Sequence, residues 1–150
     1  MHVEIQQVEG NSFRSNIRDH VLYMDTPLSQ SGTNKGPTPK ELLLSGIIGC
    51  AGMDVVALLK KYKMAPDLLK ISADTDTRKE HPRIFTKVET KFFAEGNNVG
   101  AKELKEAVEL SLTKYCGVTA MVSKTVPVHY EIFLNGTSVG QGSANFGSLI

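Results

Sequence analysis

Residues 46–56, "GIIGCAGMDVV", sit in the middle of an apolar run that reaches from Leu42 to Leu59, and how they are read decides the fold. Pro37, Thr38 and Pro39 supply start signals ahead of the run, and Lys60, Lys61 and Lys63 supply the basic end that suits a helix C-terminus. Thr38 followed three positions on by Glu41 has the spacing of a capping box, with Thr38 as N-cap. Apolar residues then fall on every face, so the helix predicted here leaves no stripe for water and is buried. Its length would also span a bilayer, but Glu41, Asp54 and Ser45 oppose that, because a charge at mid-membrane costs about 2.5–3.5 kcal/mol on insertion scales.

Each glycine inside a helix costs about 1 kcal/mol relative to alanine. Gly46, Gly49 and Gly52, near the line of Ser45 and Ala51, form a low ridge that another backbone or a ligand can approach. Cys50 lies on that ridge and Asp54 one turn further along the same side. Two accounts fit this spacing. One is a helix-packing groove holding an inert, buried thiol; the other is a reactive cysteine, with Asp54 either a charge near it or a residue that hydrogen-bonds a neighbouring backbone or hydroxyl group across a dimer interface.

Outward from the helix, residues 2–8, "SFRSNI" at 12–17 and "HVLYMD" at 20–25 read as three strands, and residues 26–37 as a loop rich in Ser, Gly, Thr, Asn and Pro. Two alternating segments, 68–80 and 83–96, form a second hairpin interrupted by His81 and Pro82. Residues 101–116 carry Leu104, Val108, Leu112 and Tyr115 at helical spacing, which gives an amphipathic helix ending near Cys116. A short helical turn at 118–124 and a last strand at 126–134 follow, then a small, polar tail up to "NFGSLI" that is loose or covers a partner. The glycine-rich "NGTSVGQGS" leads into no helix and is therefore no phosphate loop. Grouped strands and helices indicate an α+β fold with an antiparallel sheet of six strands. One such sheet and one other helix cannot cover a helix that is apolar all round, so a second copy of the chain in an isologous homodimer is expected.

The chain has 150 residues and a formal net charge of +1, enough for one domain over 1–150 with a real core. Basic residues are interspersed with acidic ones, so no nucleic-acid-binding stripe forms. The N-terminus lacks the charged and apolar regions of a signal peptide, and neither it nor the central helix calls for a membrane. Two cysteines make no disulfide scaffold, and a cytoplasmic location would keep both reduced unless they do redox work. Neither CxxC nor HxxxH occurs, so no zinc or other metal site is expected. His20 and His129 in strand-like segments and His81 before a proline read as structural or solvated. Phe92, Phe93, Tyr23, Tyr115 and Phe146 can line a pocket or simply fill a core.

The helices carrying Cys50 and Cys116 can cross with the thiols facing, in which case one attacks and the other resolves the resulting sulfenic acid as a disulfide. An arginine beside the attacking sulfur, held by a carboxylate, would favour its thiolate.

"GPTPKELLLSGIIGCAGMDVVALLKK" at 36–61 together with "SLTKYCGVTAMVSKTVPVHYEI" at 111–132 resembles the OsmC/Ohr family of peroxide-resistance proteins, in its uncharacterised OsmC-like branch, and the likeness runs over nearly the whole chain. The resemblance implies an intertwined homodimer whose sheets wrap around long cysteine-bearing helices. It implies thiol-dependent reduction of organic hydroperoxides, with no bound cofactor and with recycling by small thiols or lipoylated proteins. It makes Cys50 the peroxidatic and Cys116 the resolving thiol, and Arg14 the assisting arginine with Arg18 as rival. The family carboxylate follows a proline ten residues before the cysteine, where this chain has Lys40; Glu41, one residue on, is the nearest carboxylate. One residue turns a helical side chain by about 100°. Glu41 therefore either still serves the arginine or only caps the helix, and in the second case the chain would be a small-molecule-binding or redox-sensing relative with little peroxidase activity.

Overall fold

The computed structural model describes residues 1–147, so the last three residues of the expected loose or partner-covering tail lie outside the described residues. The chain divides into two compact units, residues 1–45 and 46–150.

In the first unit, β1 (Glu4–Glu9), β2 (Ser12–Ile17) and β3 (His20–Met24) form a three-stranded antiparallel sheet in that order. These are the three strands expected from alternation. The β2–β3 hairpin closes through Arg18 and Asp19, with Arg18 at φ 55°, and the register sets Arg14 opposite Gln6 on one side and Tyr23 on the other. Side chains in register share a face, so Arg14 lies on the face of Gln6 and Tyr23. A cavity of about 430 Å³ lies against the opposite face, lined by Ile5, Phe13 and Met24 with Asp25, Thr26 and others.

Asp25 organises the loop that follows. Its Oδ1 accepts from the Thr26 amide at 2.7 Å, and its Oδ2 accepts from the Thr33 amide at 3.0 Å, the Thr33 hydroxyl at 2.6 Å and the Lys35 amide at 3.1 Å. The residue is 2% exposed. These bonds hold its carboxyl at about pKa 2, the Thr33 hydroxyl contributing most. The loop is a strap held inside by this carboxylate and tied to β1 by the Lys35–Glu9 ion pair at 2.8 Å, and it contains a 3-10 turn, Leu28–Gln30.

The long helix α1 (Pro39–Lys61) begins in the first unit and runs into the second. The expected capping box is present: the Glu41 carboxylate accepts from the Thr38 amide at 2.7 Å and from its hydroxyl at 2.8 Å, and the Glu41 amide donates back to Thr38 Oγ1 at 3.3 Å. A single chain covers only part of the helix, as the excess of apolar residues on it implied. Within this chain only Ile47, Ala51, Gly52, Val55, Leu58 and Leu59 of α1 are buried, whereas Met53 is 76% and Val56 52% exposed. By length and composition α1 is also apolar enough to cross a membrane.

The second unit continues with β4 (Leu68–Thr77), β5 (Phe85–Glu95), α2 (Ala101–Leu110), α3 (Gly117–Val122), β6 (Val128–Leu134) and β7 (Thr137–Ser143). Its sheet has the order β4-β5-β6-β7. Three expectations are corrected here. The strands fall into two sheets instead of one of six. The pairing of β5 with β6 is parallel, because α2 and α3 carry the chain back between them, while the other pairs are antiparallel. The glycine-rich tail segment is a strand, turned back by Asn135 at φ 49° and Gly136 at φ 79°, the two positive angles a tight hairpin requires.

Period-two burial gives this sheet its core face: Val88, Thr90, Phe92 and Ala94 of β5 and Val128, Tyr130 and Ile132 of β6 are buried. Of these, Phe92, Ala94, Tyr130 and Ile132 form one core cluster with Ala51, Val55, Leu58 and Leu59 of α1 and Leu104, Ala107 and Val108 of α2. Each such fully buried Leu, Val or Phe contributes about 1.5–3 kcal/mol. The fit is close at Gly52, where a Cβ would stand 2.7 Å from Ile71 Cδ1 of β4. On the outer face Phe93 stacks on Phe133, ring centres 5.1 Å apart. His129 there bonds the Ser143 hydroxyl at 2.8 Å, across the β6–β7 pair.

Candidate functional site

The amphipathic helix that carries Cys116 does not end as its spacing predicts. After Leu110 it widens into a π turn over Ser111–Tyr115, closed by the Cys116 amide donating to the Ser111 carbonyl at 2.9 Å. The wide turn takes in one more residue than an α turn, so the face that Leu104, Val108 and Leu112 occupy is completed by a different side chain. Tyr115, expected on that face, is 47% exposed, and Cys116 is 0% exposed in its place.

Cys116 also caps α3. Its Sγ accepts from the Thr119 amide at 3.4 Å and shares a hydrogen bond with the Thr119 hydroxyl at 3.0 Å. Burial pushes this thiol up to about 11; the Thr119 hydroxyl and amide pull the other way, and Cys50 adds to the rise. Cys116 therefore holds its proton at neutral pH.

Cys50 comes from the middle of α1, partly buried, and Asp54 follows one turn later, also partly buried. The Cys50 sulfur, an Asp54 carboxylate oxygen and the Cys116 sulfur all lie within 4.8 Å of one another. The two thiols, which the sequence allowed to face each other, thus come together, and both are free. Ser111, fully buried, turns its hydroxyl to Asp54 Oδ2 at 3.1 Å and stands 3.4 Å from the Ala51 carbonyl. The hydroxyl partner of Asp54 therefore comes from its own chain and not from across a dimer interface as expected, and Asp54 also belongs to the thiol cluster. Beside it opens a cavity of about 240 Å³ lined by Asp54, Ala57, Leu58, Lys61 and Tyr115. Of the aromatic residues weighed as pocket walls, Tyr115 lines this cavity, whereas Phe92 is core and Phe146 packs against it.

The remaining candidates lie in the first unit. Arg14 is in the middle of β2, Arg18 at the tip of the β2–β3 hairpin, and Glu41 at the start of α1 with its carboxylate engaged by Thr38. That engagement lowers the Glu41 carboxyl below its ordinary value, the Thr38 amide contributing most. Ser111 and Thr119, which hold Asp54 and Cys116, were missed by sequence reasoning: an isolated hydroxyl carries no local signal until a π turn and a helix start bring it to the sulfur or the carboxylate.

Chemically, a partly buried thiol next to a fully buried one can be oxidised and then resolved without a large rearrangement. The family model described as OsmC-like protein matches residues 32–131. Protein YhfA of Escherichia coli K12 is 32% identical over 135 residues, covering 88% of this chain and 98% of that protein. A crystal structure of a hypothetical protein from Aquifex aeolicus superposes with a TM-score of 0.77 at 33% identity, over 89% of this chain and 93% of that one. The fold is shared as well by an organic hydroperoxide resistance protein OsmC from Legionella pneumophila, with a TM-score of 0.62 at 12% identity, over 89% of this chain and 94% of that one.

Proposed function

Because the chain belongs to the family of OsmC-like proteins, we propose that it is a thiol-dependent peroxidase that reduces organic hydroperoxides in oxidative-stress defence. Membership supports the coarser statement of a redox or peroxide-resistance role. The observation that carries the finer one is the approach of the Cys50 and Cys116 sulfurs to within 4.8 Å.

In the cycle we propose, the Cys50 thiolate attacks the terminal peroxide oxygen. The O–O bond breaks, the alkoxide takes a proton and leaves as the alcohol, and Cys50 becomes a sulfenic acid. Cys116 then loses its proton and attacks that sulfur, the hydroxyl leaves as water, and a disulfide forms. An external dithiol, a small thiol or a lipoylated protein, reduces it; no bound cofactor is needed. Arg14, with Arg18 as rival, orients the peroxide, and the cavity beside Tyr115 gives the apolar part of the substrate a wall. A second copy of the chain covers the exposed side of α1, where Met53 and Val56 stand open, in a cytoplasmic homodimer.

The test is consumption of cumene hydroperoxide by purified protein with dihydrolipoamide. Cys50→Ser should fall to the background rate, and Cys116→Ser should allow one stoichiometric oxidation and no turnover. Normal turnover in Cys50→Ser would overturn the proposal.

A second reading is favoured by the commitment of Glu41 to Thr38, which occupies the carboxylate nearest the family position. On that reading the protein binds a small apolar or electrophilic molecule, or senses oxidation, and consumes little peroxide. Saturable ligand binding together with a folded dimer inert to cumene hydroperoxide would establish it.

A further inference from the structure

Three donors of the kind that bind metal converge where local spacing announced none. Cys50 and Asp54 stand one turn apart on α1, Cys116 arrives from the π turn, and their donor atoms are all within 4.8 Å of one another. A tetrahedral zinc ion, with bonds of ~2.3 Å to sulfur and ~2.0–2.2 Å to oxygen, sets donors roughly 3.5–3.8 Å apart. A contraction of about 1 Å, within reach of side-chain torsions on a helix and a turn, closes the set on an ion.

The surroundings suit a cation. If both thiols and the carboxylate ionised together, three negative charges would crowd one partly buried point, which is costly unless a positive charge stands between them. Each donor is held by a further group: Ser111 bonds Asp54 at 3.1 Å, and the Thr119 amide and hydroxyl bond Cys116 at 3.4 and 3.0 Å. Such outer contacts orient ligands without consuming the donor atom's remaining lone pairs. Two thiolates exclude the hard cations magnesium and calcium, and the carboxylate favours zinc over the all-sulfur sites of copper(I). The cavity along Ala57, Lys61 and Tyr115 gives a fourth ligand room to enter beside Asp54.

We infer that Cys50, Asp54 and Cys116 form a zinc(II) site that holds both thiols in the reduced form. Binding displaces a proton from each thiol, forms two Zn–S bonds and one Zn–O bond, and changes no oxidation state. While zinc is bound, each sulfur shares electron density with the metal and is a weaker nucleophile than the free thiolate. The regulatory consequence, inhibition of peroxide reduction that a chelator reverses, rests on the peroxidase reading; the site itself does not.

The experiment is anaerobic titration of the reduced protein with zinc against a chromophoric chelator, with cobalt(II) as spectroscopic probe. One equivalent per chain should bind, cobalt should show thiolate charge-transfer and tetrahedral bands, and Asp54→Asn and Cys116→Ser should each weaken binding at least tenfold. In the unmodified protein, zinc should slow alkylation of Cys50 and Cys116 together, a readout that needs no variant to fold. Absence of stoichiometric binding, or zinc that leaves alkylation of both cysteines unchanged, overturns the inference. No peroxide enters these measurements, so their failure is distinct from failure of the peroxidase reading.

Discussion

The Cys50 and Cys116 sulfurs stand within 4.8 Å of each other, one partly exposed from mid-helix and the other fully buried at the end of a π turn. Two thiols so placed should behave differently toward the same reagent. Iodoacetamide, for which the thiolate is the nucleophile, should modify Cys50 first. The Cys116 rate should stay low at neutral pH and climb about tenfold per pH unit until near 11, where its raised pKa lies. The sign for stability follows. The folded state keeps this thiol protonated, so its contribution is complete below the unfolded cysteine value of about 8.5 and is lost as pH rises toward 11. Urea midpoints of wild type and Cys116→Ser, measured between pH 7 and 11, should converge.

The Asp25 strap predicts an acid effect of opposite sign. Its folded pKa of about 2 lies below the ordinary carboxylate value, so the strap stabilises above roughly pH 3.9 and weakens as pH falls toward 2. Asp25→Asn keeps the shape but puts a donor where the Thr33 and Lys35 amides already donate. Limited proteolysis should cut residues 26–36 faster in that variant at neutral pH, with the rest of the digestion pattern unchanged. An unaltered cleavage rate would show that the loop does not depend on this carboxylate.

Thr38 and Glu41 separate capping from catalysis. Thr38→Ala removes an N-cap and should lower stability by about 1 kcal/mol by denaturant unfolding. Glu41→Gln preserves the capping-box geometry while removing the charge. If Glu41 only caps, peroxide turnover in Glu41→Gln should match wild type; a loss of about tenfold or more at unchanged stability would assign it to the arginine.

Three glycines of α1 report on what covers the helix. A Cβ at Gly46 or Gly49 meets nothing within 4 Å in the single chain, whereas one at Gly52 presses on Ile71. In an isolated chain Gly49→Ala would therefore stabilise the helix by about 1 kcal/mol. In the homodimer proposed above, this face is where a partner approaches, so Gly49→Leu should weaken dimerisation in sedimentation equilibrium. Dimerisation unaffected by that substitution would move the interface elsewhere.

Much of the architecture was legible because it is local. The β1–β2–β3 meander, the capping box, the β4–β5 hairpin and the start of α2 each follow from a pattern within about ten residues. β7 was missed although its Asn135-Gly136 turn is a strong hairpin signal, because the strand beyond is short of β-branched and aromatic residues, with three glycines or serines for each large side chain near its end. The parallel β5–β6 pairing and the separation into two sheets depend on where the intervening helices carry the chain, which no local period encodes. At the site, the layout of two helices allows Cys50 to face Cys116 but does not fix their approach, which depends on how the chain packs. Ser111 and Thr119 were not legible, since their roles exist only once the helix widens at Ser111. The apolar side of α1 left open by this chain agrees with an excess of apolar residues that one sheet and one helix could not cover.

The Cys116 sulfur is also the acceptor at the head of α3, receiving the Thr119 amide proton. Drawing that sulfur from within 4.8 Å of Cys50 to the roughly 2.05 Å of a disulfide bond shifts it relative to Thr119 and removes the S–H that shares a hydrogen bond with the Thr119 hydroxyl, so each oxidation loosens the first turn of that helix and each reduction tightens it. The Thr119 amide is in this way a built-in gauge of the thiols' redox state: in nitrogen-15-enriched protein its resonance should switch between two positions as the pair is oxidised to the disulfide and reduced again.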